Sequence, residues 1–125
     1  MPSYVTTLGK MVKMTLPMSE ADLKLAVSEY LEYLTNQGKL YADRLNSGEV
    51  IIIQGQDRRR IKLCRTGTAD FFVLKQGLVI YLECKSEKGR QSPEQKAFEI
   101  LVKAQGASYY LVRSVDEIGR ILRRE

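Results

Sequence analysis

The chain has no histidine. In a protein of 125 residues that absence removes Ser-His and Cys-His hydrolytic machinery, histidine-ligated metal nucleases and any imidazole general base. Cysteine is scarce as well: Cys64 and Cys84 cannot build a zinc site without other soft ligands. The longest apolar run, Leu78 to Leu82, is far short of the roughly 20 residues that a bilayer crossing needs. Met1-Pro2-Ser3-Tyr4 shows no charged segment followed by an apolar run, so no signal peptide is predicted. Reduced thiols and an intracellular, cytoplasmic setting are the expectation. Catalysis on this chain would have to rest on Asp, Glu, Lys and Arg, with or without a hard metal ion.

What is present suits one compact domain: 44% of residues are hydrophobic and 28% charged. The net charge is +5, and it is unevenly placed. Between Gly55 and Arg65 stand Arg58, Arg59, Arg60, Lys62 and Arg65 against the single acid Asp57. Two readings fit this cluster, a surface for a polyanion and a solvated loop. Its flanking glycines, Gly55 and Gly67, predict that residues 55–66 are mostly loop.

Residues 1–18 read as an arm or an extra strand, and 19–125 as the domain proper. Ser19 is placed to cap a helix over about 20–36, with Leu23, Val27, Tyr30, Leu31 and Leu34 at helical spacing and Gly38 at its end. Strands are expected at 39–45 and at Val50 to Ile53. Two clearer ones follow, Asp70 to Leu74 and Leu78 to Lys85, joined by Gln76-Gly77. Both faces of both are mainly apolar, which predicts central strands of a sheet covered on each side. Ser92-Pro93-Glu94-Gln95 is a capping box with proline at the first helical position. Gly106 ends that helix, Ala107 to Arg113 is a strand, and Ser114 with Glu117 reads as a second capping box. The expected order is α-β-β-β-β-α-β-α, an α/β domain with a central mixed β-sheet flanked by helices on both faces.

One constellation carries chemistry. A symmetric two-residue turn at Gln76-Gly77 would set Asp70 opposite Glu83, with Cβ atoms about 4.5–5.5 Å apart. Lys85, two residues on, shares the face of Glu83. A three-residue turn would instead shift the register by one and separate the acids. Two ionised carboxylates this close repel unless a cation lies between them. A hard divalent ion such as Mg²⁺ supplies one, and it can activate water and polarise a phosphoryl oxygen. The competing reading is an ion-paired strand end in which Lys85 neutralises both acids.

Gly67-Thr68-Ala69-Asp70, twelve residues, Glu83-Cys84-Lys85 and then Gln95 resemble the VRR-NUC family of the PD-(D/E)XK nuclease superfamily. Ala69 stands where proline is usual, and Val112-Arg113-Ser114 lies where the family carries V-R-R. The resemblance covers about residues 19–122 and implies a restriction-endonuclease-like core. It implies a homodimeric, Mg²⁺- or Mn²⁺-dependent DNA endonuclease, structure-specific for four-way junctions or flaps. Asp70, Glu83 and the Cys84 carbonyl would hold the metal, and Lys85 would position water. Gln95 would assist at the site or contact the substrate; completing the capping box is the other reading and is sufficient by itself. Of the first-helix glutamates, Glu20 shares the arc of the apolar residues, while Glu29 and Glu32 lie about 180° and 120° away at about 100° per residue. The resemblance implies a first-helix glutamate near the metal, so Glu20 is the expected additional catalytic and metal-binding acid; an ordinary first-turn acid is the other reading. Arg58, Arg59, Arg60, Lys62 and Arg65, with Arg44 a weaker candidate, would grip phosphates. A non-catalytic DNA-binding or scaffold domain that keeps the fold is the alternative function.

Overall fold

The apolar spacing from Leu23 to Leu34 produces a helix with Leu23, Val27, Leu31 and Leu34 buried in the core and Tyr30 partly buried against it. This helix, α1 (Glu20–Asn36), starts at Ser19, whose hydroxyl accepts from the Asp22 amide. The computed structural model describes residues 18–125 and, before them, the strand backbones β1 (Tyr4–Thr7) and β2 (Lys10–Lys13). β1 and β2 pair antiparallel, so the arm contributes two strands. The rest of the arm expected over 1–18 lies outside the described residues.

After α1 come β3 (Tyr41–Arg44), β4 (Glu49–Gln54), β5 (Asp57–Lys62), β6 (Phe71–Lys75) and β7 (Leu78–Cys84). Then follow α2 (Pro93–Ala104), β8 (Ser108–Val112) and α3 (Val115–Arg124). The main sheet has the order β3-β6-β7-β8, with β7 and β8 parallel and the other pairs antiparallel. It is a mixed sheet, as the sequence predicts, with the two clearest strands at its centre. No helix among the described residues is long and apolar enough to cross a membrane.

The two faces of the sheet are covered unequally. Phe71, Val73, Ile80, Leu82 and Val112 point to one side and are buried under α1 and α3, where they meet Ile118 and Ile121. Lys75 fastens the end of α3 by donating to the Leu122 and Glu125 carbonyls at 2.6 and 3.1 Å. On the other side α2 sets Phe98 edge-on to Tyr81, with ring centroids 5.0 Å apart. No residue of α2 is fully buried, and Ile100 and Leu101 stand exposed. The expectation of helices on both faces holds, but one cover is thin.

Two expectations are corrected. Residues 55–66 are not mostly loop: β5 spans Asp57–Lys62 and pairs with β4 through six residue pairs, from Glu49↔Lys62 to Gln54↔Asp57. Gly55, with φ +61°, is the first central residue of a two-residue hairpin turn, the position where glycine suits the strand twist. The β-branched run Ile51-Ile52-Ile53 supplies the partner ladder. At Ser114 only half of a capping box forms, the serine accepting from the Glu117 amide.

Gly67 shows why the segment before β6 tolerates no side chain. Its φ is +92°, and an added Cβ would lie 2.5 Å from the carbonyl carbon of Glu94 at the start of α2. Gly38 has a similar φ of +73° but faces open space. We expect Gly67→Ala to cost about 3 kcal/mol or more in urea unfolding, combining overlap with a left-handed backbone. Gly38→Ala is expected to cost about 1 kcal/mol. Equal losses at the two positions would show that the packing against α2 is not tight.

Candidate active site at the end of the central strands

The β6–β7 turn has positive φ at both Gln76 (+50°) and Gly77 (+81°), a two-residue turn of the kind that continues strand twist. It sets the register Phe71↔Leu82, Phe72↔Tyr81 and Lys75↔Leu78, as a symmetric turn requires. The ladder stops at Phe71. Asp70 therefore lies one residue past it, and its carboxylate accepts from the Cys84 amide at 2.8 Å. The Asp70 carbonyl accepts from Leu45, which ties this end of β6 to the segment after β3.

Glu83 is 2% exposed, an acid in the hydrophobic interior of a central strand. Its Oε1 accepts from the Gln95 side-chain amide at 2.5 Å. Its Oε2 is buried and has no hydrogen-bond partner among the described residues. Burial first, and the neighbouring Asp70 carboxylate second, push the Glu83 carboxyl up to about 8; Lys85 and Lys24 pull against this. A proton or a cation is what such an oxygen lacks.

The Gln95 side chain makes two hydrogen bonds. Its amide oxygen accepts from the Ser92 amide at 2.8 Å, completing the capping box, while its nitrogen serves Glu83. The helix start thus aims one end of the amide into the site. Lys85 is also buried, and its Nζ lies 3.7 Å from Glu20 Oε1. Its backbone amide donates to the Val112 carbonyl, which holds this end of β7 against β8. Glu20 is brought to the cluster from α1, whereas Glu29 and Glu32 are exposed.

Lys24 is the member that sequence reasoning missed. Its ammonium bridges Glu20 Oε2 at 3.2 Å and Asp70 Oδ1 at 3.3 Å. Burial lowers its pKa, but Asp70 and Glu20 together outweigh that and hold it above the ordinary lysine value. A signal for it exists: Lys24 follows Glu20 by four residues, so it shares that face of the helix. Arg113 likewise enters the sequence reading only as part of a motif. Its guanidinium donates to the Ser86, Glu87 and Gly89 carbonyls, at 3.1 and 2.9 Å for the last two, and shapes the loop after Lys85. Cys84 is no nucleophile: burial pushes its thiol up to about 12.

The donor chemistry suits a hard divalent cation. Asp70, Glu83 with its unpartnered Oε2, and the Cys84 carbonyl are oxygen ligands of the type such ions take. Among the described residues, however, no three acidic or cysteine side chains are grouped closely enough to hold a metal ion. Glu20 is engaged by two lysines and does not complete such a group.

The basic residues occupy a separate element. Arg58, Arg59, Arg60 and Lys62 lie on β5 and Arg65 just beyond it, all exposed. Among the described residues only Arg60 of the five pairs with an acid, Glu49 at 3.7 Å. Alternation along β5 puts Arg58, Arg60 and Lys62 on one face and Arg59 on the other. Backbone bonds from Leu63 to Gly48 and from Cys64 to Asn46 hold the base of this ribbon. An open cleft of about 520 Å³ lies at that base, lined by Lys24, Arg44, Asn46, Glu49, Val50 and Asp70. Arg44 is thus beside the acid cluster, whereas Arg58 and Arg59 are near the ribbon tip.

No protein-family model and no curated protein matches the chain.

The raised Glu83 carboxyl has a direct consequence. Its folded value lies above its unfolded value, so the native state binds the extra proton between the two. Its contribution to stability is present below the unfolded value and is lost as pH rises through about 8. In chelator, the melting temperature of the wild type is expected to fall from about pH 5 to about pH 9, and Glu83→Gln to flatten the decline. An identical slope in the variant would show that Glu83 does not carry the extra proton.

Proposed function

We propose that this chain is a VRR-NUC-type nuclease of the PD-(D/E)XK superfamily, a divalent-metal-dependent endonuclease that hydrolyses phosphodiester bonds in DNA. The observation that carries this reading is the meeting of Asp70, Glu83, Lys85 and Gln95 at one end of β6 and β7, around a buried carboxylate oxygen with no partner. The four-stranded mixed sheet with helices on both sides supports a restriction-endonuclease-like core.

Mg²⁺ or Mn²⁺ held by Asp70, Glu83 and the Cys84 carbonyl would lower the pKa of water and polarise the phosphoryl oxygen. The protein groups have definite tasks. Gln95 fixes the orientation of Glu83 through its side-chain amide, and the Cys84 amide does the same for Asp70. Lys85 offers an ammonium that can orient the attacking water or neutralise charge developing on the phosphate. Glu20 holds that ammonium in place. The β4–β5 ribbon, a two-stranded element of the width a major groove admits, presents Arg58, Arg60 and Lys62 to phosphates. The cleft beside Asp70 and Arg44 joins the ribbon to the acid cluster. Branched DNA, a four-way junction or a flap, is the proposed substrate. A homodimer is the proposed form, because two sites held at fixed spacing suit paired incision.

A second reading, a DNA-binding scaffold that no longer cuts, draws on the pairing of Asp70 and Glu20 with lysines. One experiment separates the two. Labelled junction, flap, duplex and single-stranded DNA are incubated with wild type, Asp70→Asn and Glu83→Gln, with and without Mg²⁺ or Mn²⁺. Cutting is expected only with metal, reduced about a hundredfold or more in either variant while DNA binding persists. Binding without cleavage of any substrate would establish the scaffold instead.

The ribbon is tested separately. The triple variant Arg58→Ala, Arg60→Ala, Lys62→Ala should weaken DNA binding across all sequences. Its salt dependence should flatten by about 0.9 in the log–log slope for each phosphate that the variant no longer neutralises. An unchanged slope would remove the ribbon from the interface.

A further inference from the structure

We propose that the Lys24 ammonium is a resident counter-ion: it holds the place of the divalent cation in the metal-free protein and must leave Asp70 when that cation binds. This rests on the metal-dependent reading above and adds a built-in competitor to it.

The geometry singles out Lys24. Its Nζ lies between two carboxylates, 3.2 Å from Glu20 Oε2 and 3.3 Å from Asp70 Oδ1. Asp70 is one of the two acids placed to take the metal. Its Oδ2 accepts from the Cys84 amide, and Lys24 lies against its other oxygen, Oδ1. Three acids, Asp70, Glu83 and Glu20, and two lysines, Lys24 and Lys85, make up the cluster. A dication entering such a set leaves a surplus of positive charge at short range, which repels an ammonium.

Of the two lysines, Lys24 is the one free to go. Lys85 is held in the interior, its side chain 11% exposed, just past a strand paired on both sides. Lys24 is 24% exposed and lines the open cleft with Arg44 and Asn46. It can release Asp70 by turning into that cleft while keeping its bond to Glu20, its neighbour one helical turn earlier. Among the described residues no three acids group around a metal position, which fits an arrangement in which ammonium groups separate them.

Mn²⁺ is titrated calorimetrically into the metal-free full chain for wild type, Lys24→Met, Lys24→Gln, Lys24→Arg and Asp70→Asn, with melting temperatures measured alongside. Lys24→Met is expected to bind Mn²⁺ about tenfold more tightly than wild type, equivalent to about 1.4 kcal/mol. Its melting temperature should also rise more on adding metal. Lys24→Arg keeps the charge and should stay close to wild type. Lys24→Gln keeps hydrogen bonding without charge, and supplies the comparison if the methionine variant fails to fold. Binding by a neutral variant alone also supports the inference. Equal or weaker Mn²⁺ binding by both neutral variants, with binding abolished in Asp70→Asn, overturns it and leaves the metal site standing. Binding that survives Asp70→Asn overturns it by placing the ion elsewhere. No Mn²⁺ binding by wild type or the neutral variants overturns the metal reading, and the inference with it.

Discussion

A carboxylate kept in a nearly dry position beside a second carboxylate has to be offset by its surroundings, and the end of this sheet is organised around that demand. Glu83 lies on a central strand between β6 and β8, with almost no solvent contact. Ionising it there is costly unless a proton, a cation or donors compensate. Gln95 supplies one hydrogen bond, while Lys85 and Lys24 supply positive charge nearby. One oxygen still lacks a partner. A purely structural position would be better served by an apolar residue of similar size, because replacing a buried charge cluster with packed hydrophobic groups is often neutral or stabilising. That cost is the reason to read the cluster as a site for chemistry, and it is the basis of the function proposed.

The surrounding fold serves to hold this end still. Gly67 allows the segment before β6 to press against the first turn of α2, the turn that carries Gln95. Arg113 gathers the carbonyls of the loop after Lys85. The Val112 carbonyl fixes the Lys85 backbone against β8. These contacts come from distant parts of the chain and converge within a few residues of the acids. The β4–β5 ribbon is built differently. Among the described residues its two strands pair only with each other, and both its faces are exposed. A rigid acid centre next to a projecting basic ribbon divides the labour proposed here: chemistry at the sheet end and phosphate contact on the ribbon.

Much of the site is legible in the sequence because its signals are local. The two-residue turn at Gln76-Gly77 and the alternation of apolar residues predict the pairing of β6 with β7. The Ser92 and Gln95 pattern predicts the start of α2, and the 3.6-residue period picks Glu20 from three candidates on α1. Other features mislead for equally local reasons. Gly55 has the look of a loop boundary, although a hairpin turn also calls for glycine at its first central position. Ser114 carries the letters of a capping box but forms only its serine half. The spacing of Lys24 from Glu20 marks their shared helix face, but nothing within α1 indicates that Asp70 lies against it.

Residue order was enough to specify the helices and their caps, the turn that sets the central hairpin, and which acids could share its end. Those depend on backbone geometry over a few residues, and short spacing encodes it. The folded chain settled the rest. It turned Asp70 onto the Cys84 amide, lowered Lys24 between two acids, and let one glutamine cap a helix and reach Glu83. It also made a ribbon of the basic segment. Each of these follows from burial and charge acting between elements far apart in the chain, where electrostatic energy depends on distance and solvent exclusion and not on separation in sequence.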